Sequence, residues 1–184
     1  MIYFVRHGAT EWNEALDGDG NKSPKLQGKT NIPINQKGQK NAENLANQLQ
    51  DIHFDMVFCS PLDRAMQTCK IVTKGKYDIQ VDDRLMERYF GEFEGKRIRE
   101  INLAEILKDN TGFGGVEKVS EFRDRIYSFL DDLKPYKDKN ILVVSHGGVG
   151  CFVMAYFCGE PENMDYTKYI VPHAKPIIFE YKEK

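Results

Sequence analysis

The run Ile2-Tyr3-Phe4-Val5-Arg6-His7-Gly8-Ala9-Thr10-Glu11-Trp12-Asn13 governs how the rest of the chain is read. Residues 2–5 are continuously apolar rather than alternating, the pattern of a strand covered on both faces. At Arg6 the run breaks into polar and small residues. Residues 56–59 and 141–144 repeat the apolar run, and residues 177–181 are again β-rich. Between these runs the apolar positions take up helical spacing, first at Ala42, Leu45, Ala46, Leu49 and Ile52, then at Leu62, Ala65, Cys69 and Val72. A third set comprises Val119, Phe122, Ile126, Phe129 and Leu133. Strands and helices in alternation, joined by right-handed crossovers, predict an α/β fold. Its expected form is a three-layer α/β/α sandwich with a mainly parallel central sheet.

At 184 residues the chain has the length of one domain, and a single domain over residues 1–184 is expected. With 41% hydrophobic residues it is too apolar for a disordered chain, yet no apolar run is long enough to span a bilayer. The 26 basic and 28 acidic residues leave a net charge of -2, so no global positive field gathers nucleic acid or anionic lipid. Neither nucleic acid nor a membrane is therefore an expected partner, any anion site must be local, and the oligomeric state is left open. The first residues lack the basic and apolar regions of a signal peptide, which points to the cytoplasm. Cys59, Cys69, Cys151 and Cys158 show no C-x-x-C spacing and read as reduced core residues. Two stretches rich in Gly, Asn and Lys, 17–37 and 90–118, read as long loops beside a site.

Ligands of open parallel sheets bind beyond the carboxyl ends of the strands. Three apolar runs end in reactive residues: Arg6-His7-Gly8, then Ser60-Pro61-Leu62-Asp63-Arg64, then Ser145-His146-Gly147-Gly148. Taken singly, each His suits a structural hydrogen bond and each Arg a solvated surface. Taken together, buried cations without nearby carboxylates repel one another unless an anion lies between them. A phosphate dianion fits that requirement.

The Arg6-His7-Gly8-x-Thr10-x-x-Asn13 motif is followed in order by Leu26-Gln27-Gly28 and by Cys59-Ser60-Pro61-Leu62-x-Arg64-Ala65-x-Gln67-Thr68. Leu85-x-Glu87, Gly91-x-x-Glu94-Gly95 and Ser145-His146-Gly147-Gly148 complete the series. Over nearly its whole length the chain resembles the histidine phosphatase, or phosphoglycerate mutase-like, superfamily, in its small phosphatase branch. The resemblance implies a phosphohistidine intermediate on His7. It implies Glu87 as the acid that protonates the leaving alkoxide and later deprotonates water, and His146 as a catalytic donor to the phosphoryl oxygens. Arg6, Asn13, Arg64 and Gly147 would hold the phosphate, with Gln27 and Gly28 at the substrate rim. The substrate would be a small phosphorylated metabolite, and no cofactor or metal is implied.

Elementary chemistry supports these roles. His7 must be neutral to attack, and neighbouring guanidinium groups disfavour imidazolium. Each guanidinium fork can bind two phosphate oxygens, and the backbone N–H of Gly147 lies where a helix dipole favours anions. Arg88, next to Glu87, is expected to point away from it.

Mutases of this family carry additional basic residues in a longer insert, whereas this chain is short between Gly95 and Val119. Its Lys96, Arg97 and Arg99 equally suit the solvated face of a helix containing Ile98, Ile101 and Leu107. Hydrolysis is therefore the expected reaction, with a cofactor-dependent phosphoglycerate mutase or a non-catalytic phosphate-binding module as alternatives. A metal site on His7 and His146 lacks chelating spacing and a third ligand, and its Arg neighbours would repel a cation. Lys118 stands where it can add a cation, Phe90 replaces a family Tyr, and His173 replaces a small polar residue. Glu92 and Glu94 are expected to serve loop backbone, Glu11 and Glu14 to lie near the dipole of a first helix, and His53 to lie on the surface far from the site.

Overall fold

The computed structural model describes residues 1–102, 106 and 113–181. Its strands are β1 (Ile2–Arg6), β2 (Met56–Cys59), β3 (Ile79–Val81), β4 (Ile141–Ser145) and β5 (Ile177–Phe179), in the spatial order β3-β2-β4-β1-β5. The pairs β1/β4, β4/β2 and β2/β3 are parallel, and β5 runs antiparallel to β1 at one edge. The helices are α1 (Gln36–Gln48), α2 (Asp63–Thr73), α3 (Val119–Leu133) and α4 (Gly147–Cys158). Among the described residues no helix is long and apolar enough to cross a membrane.

The period-two geometry of strands sorts the core into two layers. Ile2, Phe4, Ile141 and Val143 face one way and pack with Phe122, Ile126 and Phe129 of α3 and Phe152 of α4. Tyr3, Val5, Leu142 and Val144 face the other way and pack with Leu45 of α1 and Ala65, Cys69 and Val72 of α2. The three-layer sandwich and its mainly parallel sheet are thus present. Continuous apolarity in β1 and β4 follows directly, because both faces of these strands are covered.

Local chemistry moves some boundaries. Asn35 caps α1 by accepting from the Gly38 amide at 2.9 Å, so the helix begins at Gln36, before the apolar set starts at Ala42. No helix follows His7: Glu11 and Glu14 lie in a turn, and Glu14 pairs with Lys37 at 2.9 Å and Lys22 at 3.5 Å rather than with a helix dipole. Strand β3 has no counterpart in the sequence reading, since Gln80 and Val81 of this three-residue edge strand are exposed and carry no apolar pattern. Cys59, Cys69 and Cys151 are buried, whereas Cys158, at the end of α4, is exposed and is no core residue.

Strand order positions the chemistry. Because β4 lies between β2 and β1, the carboxyl ends of these three strands are side by side, with Arg6 opposite Ser145 and Cys59 opposite Val144. The peptide N–H of His7 donates to the Ser145 carbonyl at 2.9 Å, and that of Ser60 to the Val144 carbonyl at 3.1 Å.

Phe4 is fully buried between β4 and the aromatic face of α3 and α4. Phe4→Ala should therefore cost about 3–5 kcal/mol of unfolding free energy, measured by urea denaturation. A loss below about 1 kcal/mol would contradict this packing.

Candidate active site

His7 is buried at the end of β1, 3% exposed. Its Nδ1 lies 2.7 Å from the Gly8 carbonyl, which can only accept, so Nδ1 carries the hydrogen and Nε2 keeps its lone pair. The peptide oxygen of His7 accepts from Nδ1 of His173 at 2.6 Å. The His146 and His173 rings lie 5.2 and 5.6 Å from the His7 ring, centre to centre.

Two arginines and the second histidine surround this ring. Arg64, on the first turn of α2, is fully buried and donates from Nη2 to the Gly28 carbonyl at 2.6 Å and from Nη1 to the Thr30 carbonyl at 3.0 Å. Arg6 donates from Nη1 to the Val171 carbonyl at 2.9 Å. Main-chain carbonyls thus take one bond from each terminal nitrogen of Arg64 and from the Nη1 of Arg6, as satisfying buried donors requires. Around the His7 ring the buried nitrogens without a partner are the Nε of Arg6, the Nε of Arg64 and the Nδ1 of His146, and elsewhere among the described residues the Ser23 hydroxyl and the Gln27 amide are buried without one as well.

The electrostatics follow from this crowding. Burial, then the charges of Arg64 and Arg6, hold His7 well below the ordinary histidine range, against the opposing pull of the Gly8 carbonyl. Burial and then Arg64 do the same to His146. Both rings are neutral near pH 7. Burial also pushes Arg64 down to about 10, against the attraction of Glu87 and Glu94.

Glu87 closes the site from the opposite side. Its Oε1 accepts from the Arg88 amide at 2.9 Å and its Oε2 from the Gly148 amide at 3.0 Å. A Cβ on Gly148 would lie 2.3 Å from the Glu87 carboxylate, so a side chain there would displace that carboxylate from its bond to the Gly148 amide. Arg125 of α3 braces the segment by donating to the carbonyls of Met86 at 2.7 Å and Glu87 at 3.1 Å, while its Nε pairs with Glu117 at 2.7 Å. Arg125 escaped the sequence reading because nothing distinguishes it from the polar face of an amphipathic helix. Arg88 does not point away as expected. It is buried and lines the same cavity, because its Nε is satisfied by the Glu117 carbonyl at 2.8 Å and its guanidinium lies over the Phe90 ring.

The cavity has a volume of about 360 Å³. Arg6, His7, Arg64, Glu87 and Gly147 line its polar end, and Leu26, Phe90, Ile98, Phe122, Phe152 and Ile170 line much of the rest. Asn13 joins the wall, with its side-chain oxygen committed to the Thr10 amide and hydroxyl at 3.0 and 3.1 Å. Gln27 also lines the cavity, and both polar atoms of its amide are buried without a partner. Gly28 is not among the lining residues. It lies behind Arg64, where a Cβ would meet the Glu94 carboxylate at 1.9 Å, so its place at the rim is corrected to a supporting one.

The remaining candidates are structural. Glu94 ties two loops together by accepting from the amides of Lys29, Thr30 and Phe90, as expected of a loop carboxylate. Lys118 does not line the cavity, and pairs with Glu121 at 3.2 Å. Arg97 donates to the Ser23 carbonyl and Arg99 pairs with Asp17, across a short 3-10 turn at Ile98–Glu100. Leu107 lies outside the described residues. His53 is exposed, before β2 and at the far end of the sheet.

The two neutral histidines make stability depend on pH with a definite sign. In the unfolded chain they titrate near 6.5, and in the fold well below it, so the unfolded state binds more protons as pH falls below about 6.5. Their contribution is complete above that pH and is lost below it. Urea denaturation at pH 7 and pH 5 should show a loss of stability in the wild type that shrinks in a His7→Asn, His146→Asn double variant. An equal loss in both proteins would contradict the assignment.

Comparison with known proteins identifies the family. The family model of the histidine phosphatase superfamily (branch 1) matches residues 2–184. The uncharacterized phosphatase PhoE of Bacillus subtilis is 30% identical over 172 residues, covering 92% of this chain and 83% of its own. The adenosylcobalamin/alpha-ribazole phosphatase of Escherichia coli is 30% identical, with 87% and 80% covered. The crystal structure of a putative alpha-ribazole-5'-P phosphatase from Escherichia coli superposes with a TM-score of 0.78 at 27% identity, over 95% of this chain and 87% of that one. The chain belongs to the histidine phosphatase superfamily, branch 1.

Proposed function

We propose that this protein is a phosphomonoesterase that hydrolyses a small phosphorylated metabolite through a phosphohistidine on His7, with residues 1–184 acting as a single catalytic domain. The observation that carries the reading is the set of three buried, unpartnered nitrogens around a neutral histidine: Nε of Arg6, Nε of Arg64 and Nδ1 of His146. Unsatisfied buried donors are costly and rare. Donors converging on one nucleophile suit the spread negative charge of a phosphoryl group in transfer.

In the first step the Nε2 lone pair of His7 attacks phosphorus, the ester P–O bond breaks, and the leaving oxygen takes a proton from Glu87. In the second, Glu87 removes a proton from water, the resulting hydroxide attacks phosphorus, and the P–N bond breaks to release inorganic phosphate and restore His7. Arg6, Arg64, His146 and Asn13 supply donors, and the Gly147 amide adds one at the start of α4. Loss of one such donor should raise the barrier by about 2.7–4 kcal/mol. Gln27, with an unpartnered amide in the cavity wall, suits a hydrogen-bonding group on the alcohol portion of the substrate. The phosphatase names of the relatives support the reaction class.

Phosphate release from a panel of monoesters tests the reading. The wild type should hydrolyse at least one, and His7→Ala should fall to background. Glu87→Gln should lose far more activity on an alkyl ester than on an aryl ester, whose phenolate leaves without a proton. Equal losses on the two esters would remove Glu87 as the acid, and turnover by His7→Ala would remove the nucleophile.

A further inference from the structure

Ser60 follows β2 and takes none of the roles above. It and His146 are fully buried, and its Oγ lies 2.7 Å from Nε2 of His146. Adjacent strand ends hold the pair together, since the Ser60 amide is bound to the Val144 carbonyl. The Leu62 amide donates to the same Oγ at 3.4 Å. The oxygen therefore receives one hydrogen and has its own to place. Among the described residues no other acceptor takes it.

A neutral imidazole carries one N–H and one lone pair, and a hydroxyl carries one hydrogen. If Ser60 donates to Nε2, the hydrogen of His146 is on Nδ1, the atom without a partner beside His7, Arg6 and Arg64. If instead Nε2 carried the hydrogen, the Ser60 hydroxyl would be a buried donor without an acceptor. Nδ1 would then present a lone pair to incoming phosphoryl oxygens. The first arrangement satisfies every group except the one that an anion can satisfy.

We propose that Ser60 is a positioning residue whose hydroxyl, by donating to Nε2, holds His146 as the Nδ1–H tautomer that donates to the phosphoryl group. His7 reaches the same tautomer by the opposite device, a carbonyl acceptor at Nδ1. The consequence for turnover rests on the phosphatase reading, while the tautomer is a property of the resting protein.

Two-bond 1H–15N spectra of histidine-labelled protein at pH 7, with His146 assigned by its loss in His146→Asn, test this directly. Wild type should show a protonated Nδ1 and an unprotonated Nε2 at His146. A protonated Nε2 overturns the proposal whether or not the protein is active. Ser60→Ala should shift His146 towards mixed tautomers and lower kcat about 10²-fold with little change in KM, the effect of losing one transition-state donor. Ser60→Thr, which keeps the hydroxyl, should restore both the spectrum and most of kcat. An unchanged tautomer in folded Ser60→Ala overturns the proposal. If Ser60→Ala does not fold, a mixed tautomer in Ser60→Thr does so instead. Absence of phosphatase activity on every monoester would remove the function and leave the spectrum to decide the tautomer alone.

Discussion

Two guanidinium groups and two imidazoles packed out of water form the constraint on which the rest of this structure depends. Charges so placed demand either carboxylates beside them or an anion between them. Here both terminal nitrogens of Arg64 and the Nη1 of Arg6 are met by the carbonyls of Gly28, Thr30 and Val171, which satisfy hydrogen bonding without cancelling charge. Burial first, and then the charge of Arg64, keeps His7 and His146 neutral. Under the proposed function, the same positive charge that disfavours imidazolium at His7 would draw in an anionic substrate.

Much of the protein serves to hold that cluster in place. The parallel neighbours β2, β4 and β1 bring Ser60, His146 and His7 to one edge, and the antiparallel contact of residues 25–26 with 96–97 seats the carbonyls that receive Arg64. Arg125 does the equivalent for Glu87 by gripping the carbonyls of residues 84, 86 and 87. Charged side chains in this molecule organise backbone as much as they contact the cavity.

The fold was legible wherever both faces of an element are covered, because burial writes a continuous apolar run into β1 and β4 and a helical stripe into α1, α2 and α3. It was not legible in β3, a three-residue edge strand whose pairing is carried by backbone bonds to β2 and of whose side chains only Ile79 packs against the core. The short polar segment holding Glu11 and Glu14 is a turn rather than the start of a helix, closed by bonds between Thr10 and Asn13. Within the site, residue types that chemistry requires stood out by their motifs, as with His7, Arg64, Glu87 and His146. Arg125, which acts through hydrogen bonds to backbone carbonyls, did not stand out, and the partners of His173 and Ser60 could be read only from geometry. Arg88 was misplaced for a related reason: its burial depends on the Glu117 carbonyl, 29 residues away in sequence.

The proposed function stands on covalent transfer of phosphate to His7. Rapid acid-free quenching of the enzyme during turnover of a 32P-labelled monoester, followed by peptide mapping, measures it most directly. An acid-labile, base-stable label is expected on the peptide containing His7, formed faster than steady-state turnover and absent from His7→Ala. Phosphate release without any such label, or a label on another residue, would contradict it.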